Sequence, residues 1–264
     1  MRLYLEVTRR TFRRMTTYRS ATFAGVFTNT VFGFLLAYVM VAVFQQRNTI
    51  GTFDLTDALT FTFVAQGMAM VVGAFGSDSD ISDRIKSGDV IIDLYRPIDY
   101  QAYWAADSYG KAIFYAIFRG IPPFVIGALA FHLRLPDTLG NWLAFIATIT
   151  VAVAVAFAWR FLLQCSAFWL LDVRGPNQLG MMFAMFFSGM FISTVFFPPW
   201  LATIGRFLPF ASMVQVPGET FLGKHTGLDL VVVLASQLAW ALVLLAVGRL
   251  VVRRAMRRVV VQGG

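Results

Sequence analysis

Residues 21–44 read ATFAGVFTNTVFGFLLAYVMVAVF, with no charge inside them, while Arg19 stands just before and Arg47 just after. A helix needs ~20 predominantly apolar residues to cross roughly 30 Å of hydrocarbon, so this stretch predicts a membrane span. Five more follow along the chain, at about 58–75, 104–131, 142–163, 179–197 and 230–252. The expected fold class is all-α and integral to the membrane, with six transmembrane helices in a single domain over residues 1–264.

Composition points the same way. Of 264 residues, 58% are hydrophobic and 14% charged, and the mean hydropathy is +0.69. A soluble domain carries about 25% charged residues, so this chain lacks the polar surface to stay dissolved. The net charge of +8 does not point to nucleic acid, because the basic residues sit beside apolar spans, where anionic lipid headgroups are the natural partner. The single cysteine, Cys165, lies in an apolar run, which excludes an intramolecular disulfide framework and argues against zinc. The basic start leads into an apolar segment too long for a cleavable signal, with no small-residue cleavage site; it reads as the first span.

Arginine and lysine set the expected orientation. Arg2, Arg9, Arg10, Arg13, Arg14 and Arg19 precede the first span, and Arg84, Lys86 and Arg96 fill the second loop. Arg174 marks the fourth loop, and Arg249, Arg253, Arg254, Arg257 and Arg258 close the chain. The alternate loops hold only Arg47, then Arg134, then Arg206 and Lys224. Positive loops stay in the cytoplasm during insertion, so both termini are expected there, with the protein in the cell's inner (plasma) membrane.

Three segments between spans carry further pattern. In residues 1–20, Leu5, Thr8, Phe12 and Met15 fall at helical spacing on one side, and Arg2, Arg9 and Arg13 group on another. This is either an amphipathic helix in the headgroup layer or a plain positive-inside signal. In residues 77–100, Ser77-Asp78-Ser79-Asp80 offers caps and acidic charge to a helix start, Ile81 and Ile85 follow at i, i+4, and Gly88 is placed to stop it. Val90 to Arg96 then returns toward the interface, with Pro97 imposing extended backbone. That loop is a solvated linker or a docking element for a soluble partner. Residues 198–223 are apolar and broken by Pro198, Pro199, Pro209 and Pro217. They form a re-entrant segment on the outer side or an interfacial belt anchored by Trp200.

No catalytic chemistry is visible. Gly110-Lys111 precedes Ala112 and Gly223-Lys224 precedes His225, so neither completes a phosphate-binding loop. His132 and His225 are far apart and form no metal-ligand cluster. Asp107 and Lys111 are spaced for an i, i+4 ion pair, and Arg160 is placed to snorkel. Arg119 is the exception. By position it is an intramembrane charge, which is a functional candidate unless span three is tilted or starts late. The Met and Phe run from Met181 to Phe191 suits packing and lipid contact at least as well as cargo.

Residues 85–97, the Ala167-Phe168-Trp169 that follows span four, and the run Phe187-Ser188-Gly189-Met190-Phe191, Phe197-Pro198-Pro199-Trp200-Leu201, Leu208-Pro209-Phe210 and Pro217 to Gly223 together resemble the membrane permease subunit of a type-2 ATP-binding-cassette (ABC) exporter. The resemblance covers the whole six-span order. It implies that Ile81, Asp83, Arg84, Ile85, Lys86 and Gly88 form a coupling helix docking on a separate ATPase subunit, which alone binds ATP and Mg. It implies that Arg9, Arg10, Phe12, Arg13 and Arg14 belong to an interfacial connecting helix. A second permease, identical or different, would complete the pathway, with Arg119, Met190, Phe196 and Phe197 as pathway or gate candidates. The charges of Asp78, Asp80, Asp83, Arg84 and Lys86 would set the register of the ATPase more than its affinity. Cargo would be lipophilic or amphipathic: drug, antibiotic, lipid or glycan. The competing readings are a self-sufficient secondary transporter or channel, which would need mid-span acids, and a membrane-embedded lipid enzyme, which would need clustered acids or histidines.

Overall fold

The computed structural model describes residues 2–73, 80–170 and 172–259, with side chains to residue 256. Within these, the regular structure is helical, apart from one isolated antiparallel bridge, Ile50 to Phe53. The helices are α1 Arg2–Met15, α2 Arg19–Phe44, α3 Leu55–Val71, α4 Asp80–Ser87, α5 Val90–Tyr95 and α6 Tyr100–Tyr115; a π-turn, Ala116–Gly120, runs on into α7 Ile121–Ala130. They continue with α8 Leu139–Cys165, α9 Arg174–Phe187, α10 Pro199–Arg206, α11 Gln215–Phe221 and α12 Gly227–Val259. Four stretches are long and apolar enough to cross a membrane: α2, α6 through α7, α8 and α12; α3 is a shorter apolar helix. Ser77, Asp78 and Ser79, expected to cap α4, lie outside the described residues.

The packing of α2 follows from its small residues. Gly25, Asn29, Gly33 and Ala37 recur every four positions and are buried with Met40 and Phe44, while Phe23, Phe27, Leu35 and Tyr38 point outward. Small side chains let helices approach closely in a membrane, where there is no hydrophobic drive between helices to do so. At Gly33 an added Cβ would fall 2.9 Å from the Phe63 ring of α3. As a result α3 is sheathed, buried from Asp57 through Val71. It starts in a reciprocal capping box, in which the Asp57 N–H donates to Asp54 at 2.7 Å and the Asp54 N–H donates back to Asp57 at 3.4 Å.

Pro122 and Pro123 explain the π-turn. Each lacks an N–H, so the helix widens just before them, and the Ile121 N–H reaches the carbonyl of Ala116, five residues back. A π-turn adds a residue and turns the side chains that follow; Gly120 thereby lies against Gly67 of α3.

The fifth span differs from expectation. Residues 179–197 do not form one helix: α9 covers the 14 residues Arg174–Phe187, about 21 Å at 1.5 Å per residue, short of the hydrocarbon thickness. It ends where Gly189 takes φ +80°, a left-handed conformation that glycine adopts without strain. The chain then runs through 3-10 turns at Thr194–Phe196 and Pro209–Ser212, with α10 between them, before α11. Trp200, Ile204 and Phe207 on or beside α10 are exposed, whereas α11 is mostly buried, with Gly218 seated on Phe61 of α3.

Helix ends gather at two poles. The C-terminus of α3, the N-termini of α2 and α6 and the C-termini of α8 and α12 share one pole with α1, α4 and α5, here the basic end. The other pole collects Asp54 and Asp57 of α3, Arg134, Lys224 and the start of α12.

Candidate functional site: the α1–α4–α6 junction and the opposite-end hairpin

At the basic end, α4 is tied to the bundle rather than hanging from it. Ile81 is buried in a cluster with Val90, Tyr100, Phe157, Phe161, Cys165 and Val252, which draws on α4, α5, α6, α8 and α12. The Ile81 N–H, one of the donors a helix start leaves without an intrahelical acceptor, donates to Gln164 Oε1 of α8 at 3.2 Å. Lys111 of α6 lies 3.7 Å from Asp80 and 3.0 Å from Asp107, so the i, i+4 pair expected from the sequence also reaches α4.

The same Asp107 holds α1. Thr11 Oγ1 donates to it at 2.6 Å and Arg14 at 3.3 Å, while Thr8 Oγ1 donates to the Ala106 carbonyl at 2.9 Å. Gly110 makes this docking possible, since a Cβ there would sit 2.5 Å from the Thr8 carbonyl oxygen. Phe12 meets the rings of Phe114 and Phe118 at 6.0 and 6.3 Å. The face of α1 packed on the bundle holds Thr8, Thr11, Phe12 and Met15, and Leu5 is 69% exposed. Arg9, Arg10 and Arg13 point away from the bundle, Arg10 pairing with Glu6 at 3.1 Å.

Of the residues expected to face an ATPase, Asp83 and Lys86 are on the exposed side of α4, and Ile85 is half-buried. Arg84 turns inward. Its guanidinium grips Asp93 with two hydrogen bonds, one of 2.9 Å from Nη2 and one from Nε, and Asp93 raises its pKa further. Gly88, at φ +83°, ends α4 as expected, and Arg96 before Pro97 is extended. Between them, residues 90–95 form the short helix α5, an element the sequence did not suggest. The Arg84–Asp93 clamp holds α5 against α4, leaving Ile91, Ile92 and Tyr95 exposed, Tyr95 by 82%. Sequence reading missed this apolar face because a six-residue helix leaves almost no periodic signal.

Arg160 lies beside the C-terminal end of α3: a Cβ at Gly73 would fall 2.1 Å from its guanidinium. It also donates to Ser108 of α6 at 3.1 Å. A cation at a helix C-terminus is favourable. Sequence alone suggested only that Arg160 snorkels.

At the opposite pole Gln215 stitches the hairpin. Its backbone N–H donates to the Ser188 carbonyl at 2.9 Å, and its side-chain Nε2 donates to Ser193 and Glu219, each at 2.9 Å. Its Oε1 accepts from the Thr194 N–H at 2.9 Å. Phe196 packs on Phe44 and Phe53, Phe197 stacks on Phe186 at 5.2 Å, and Met190 is buried. Asp57, its side chain 2% exposed, pairs with Arg134 and Lys224. His225 lies between Glu219 at 3.1 Å and Asp229 at 2.6 Å, and hydrogen bonds to these two carboxylates raise its pKa despite partial burial.

Arg119 is not part of that pole. It lies against Gly25, whereas Phe196 lies against Phe44, and 19 residues of α2 separate them by about 28 Å. The four pathway candidates therefore form two sites, one near each end.

Several long apolar helices, with a polar cap of short helices at one pole and a stitched hairpin at the other, define a multi-pass helical membrane protein. The chain belongs to the ABC-2 family of transporter proteins, whose family model, described as ABC-2 family transporter protein, matches residues 27–263. It is thus a membrane component of a transporter. No significant match was found among curated proteins or among solved structures.

Proposed function

We propose that this protein is the membrane half of an ATP-driven exporter, forming part of the pathway and taking its power stroke from a separate ATPase subunit. The observation that carries the reading is the α4–α5 pair: clamped by Arg84 and Asp93, it offers Lys86, Ile92 and Tyr95 outward while Ile81 roots it among α6, α8 and α12. A push on α4 is felt through Asp80, Lys111 and Asp107 by α6 and α1 together. In this reading the basic end faces the cytoplasm, both termini lie there, and the segments from α2 to α12 make six passes, the fifth being α9 with the turns beyond it. Residues 198–223 form a re-entrant hairpin, and Phe196 and Phe197 gate its outer end. A second permease completes the pathway, and ATP and Mg belong to the ATPase.

Tagged protein expressed with its neighbouring genes tests the proposal. A co-purifying soluble subunit with a phosphate-binding loop, at one copy per permease, is the expected result. Solute movement by the isolated chain without ATP would replace this reading with a self-sufficient transporter.

A further inference from the structure

Arg119 is a charge that no described residue neutralises. Among the described residues it makes no hydrogen bond and no ion pair, and its Nε is buried without an acceptor. Its one polar-type contact is with the face of the Tyr115 ring, 5.5 Å away. A guanidinium carries five donors, and one left unmatched in a low-dielectric setting is costly.

The surroundings are arranged around this group. Gly25 of α2 has no side chain to obstruct it: a Cβ there would fall 1.8 Å from Nη2 and 2.0 Å from Cζ. The π-turn Ala116–Gly120 turns Arg119 to that slot. The side chain runs back toward Tyr115, hence toward the basic end, as helix geometry favours. Gly25 stands six residues into the 26-residue α2, roughly 9 Å from its start at 1.5 Å per residue, so a guanidinium running back toward the basic end is directed at the headgroup boundary. The residue is half-buried rather than sealed, and Phe118, next to it in sequence, is exposed and packs on Phe12 of α1.

The geometry points to a binding site for the phosphate of an anionic membrane lipid, formed by Arg119 in the slot left by Gly25 between α2 and the π-turn. The phosphate would accept from the planar fork of the guanidinium, a pairing Arg makes bidentately, while acyl chains run along the apolar outer faces of α2 and α6. Basic pockets between transmembrane helices at this level are suited to anionic headgroups. The inference rests on membrane placement and not on the transport reading.

The test is lipid retention by the full-length protein, with any subunits it carries, in nanodiscs of phosphatidylcholine containing phosphatidylglycerol. Native mass spectrometry compares the two lipids held after release. Wild type is expected to retain phosphatidylglycerol preferentially, and Arg119→Gln to weaken that retention about ten-fold or more, as loss of a charge-assisted pair would. Arg119→Lys keeps the charge without the fork and should fall between the two. Gly25→Val leaves Arg119 in the chain but fills its slot, and should behave like Arg119→Gln. Should Arg119→Gln not accumulate, the Lys and Val variants make the same comparison. Equal retention by wild type and these variants overturns the site. Displacement of the lipid by added inorganic phosphate would overturn the lipid assignment in favour of a soluble phosphate ligand.

Discussion

Asp107 is 6% exposed, yet Thr11, Arg14 and Lys111 all reach its carboxylate. Removing one member of a buried pair strands the other charge, at a cost of ~3–5 kcal/mol, whereas replacing both with apolar groups is often neutral. Asp107→Ala should therefore lower the unfolding temperature of the detergent-purified protein and loosen α1, while Asp107→Leu combined with Lys111→Met recovers most of the loss. His225 makes the opposite pole sensitive to pH. Its pKa is raised by Glu219 and Asp229, so its stabilising charge is fully present below about pH 6.5, the unfolded value. It is lost as pH rises through the higher folded value. Hydrogen exchange in residues 215–229 is expected to speed up across that window and to stay flat in His225→Gln.

At the scale of elements, α4 and α5 work as one unit because Arg84 is spent on Asp93. With Arg84 held by Asp93, the proposed docking contact centres on Lys86, Ile92 and Tyr95, which are exposed. Exposed aromatic anchors of this kind carry ~2 kcal/mol or more at interfaces, roughly thirty-fold in affinity. Tyr95→Ala with Ile92→Ser should weaken ATPase docking by about that factor and leave folding intact, measured by pull-down alongside thermal melting. Arg84→Ala should instead release α5 and lose docking together with protection of that helix from proteolysis. The short α9 and buried α11 form a second unit, closed by Gln215 rather than by hydrophobic period.

For the whole molecule, α3 is sheathed, whereas α2, α9 and α12 each turn apolar side chains outward. Met182, Phe183 and Phe186 all face outward, and the proposed second permease would cover this stripe. A cysteine at Phe183 in a Cys165→Ser background is expected to cross-link copies in the membrane if the pair is symmetric. Cross-linking only to a different chain would show a mixed pair. Absence of both would put the pairing surface elsewhere, on α2 or α12.

The chain's hydropathy determined by itself that the protein lives in a bilayer, and its charges located α4, the ion pair of Asp107 with Lys111, and the stop at Gly88. These are local properties, written within a helical turn or a run of twenty residues, and the solvent reads them directly. The docking of α1 through the Thr8 and Thr11 hydroxyls and the flat face at Gly110 was not legible in its apolar spacing, and Leu5 is left exposed. The helix α5, the break at Gly189, the clamp on Arg84 and the burial of Asp57 between Arg134 and Lys224 were decided only by tertiary structure. Asp57 and Gly189 meet partners tens of residues away, and Arg84 meets one nine residues on, beyond a helical turn; no local period in the sequence records which partner a charge or a glycine will meet.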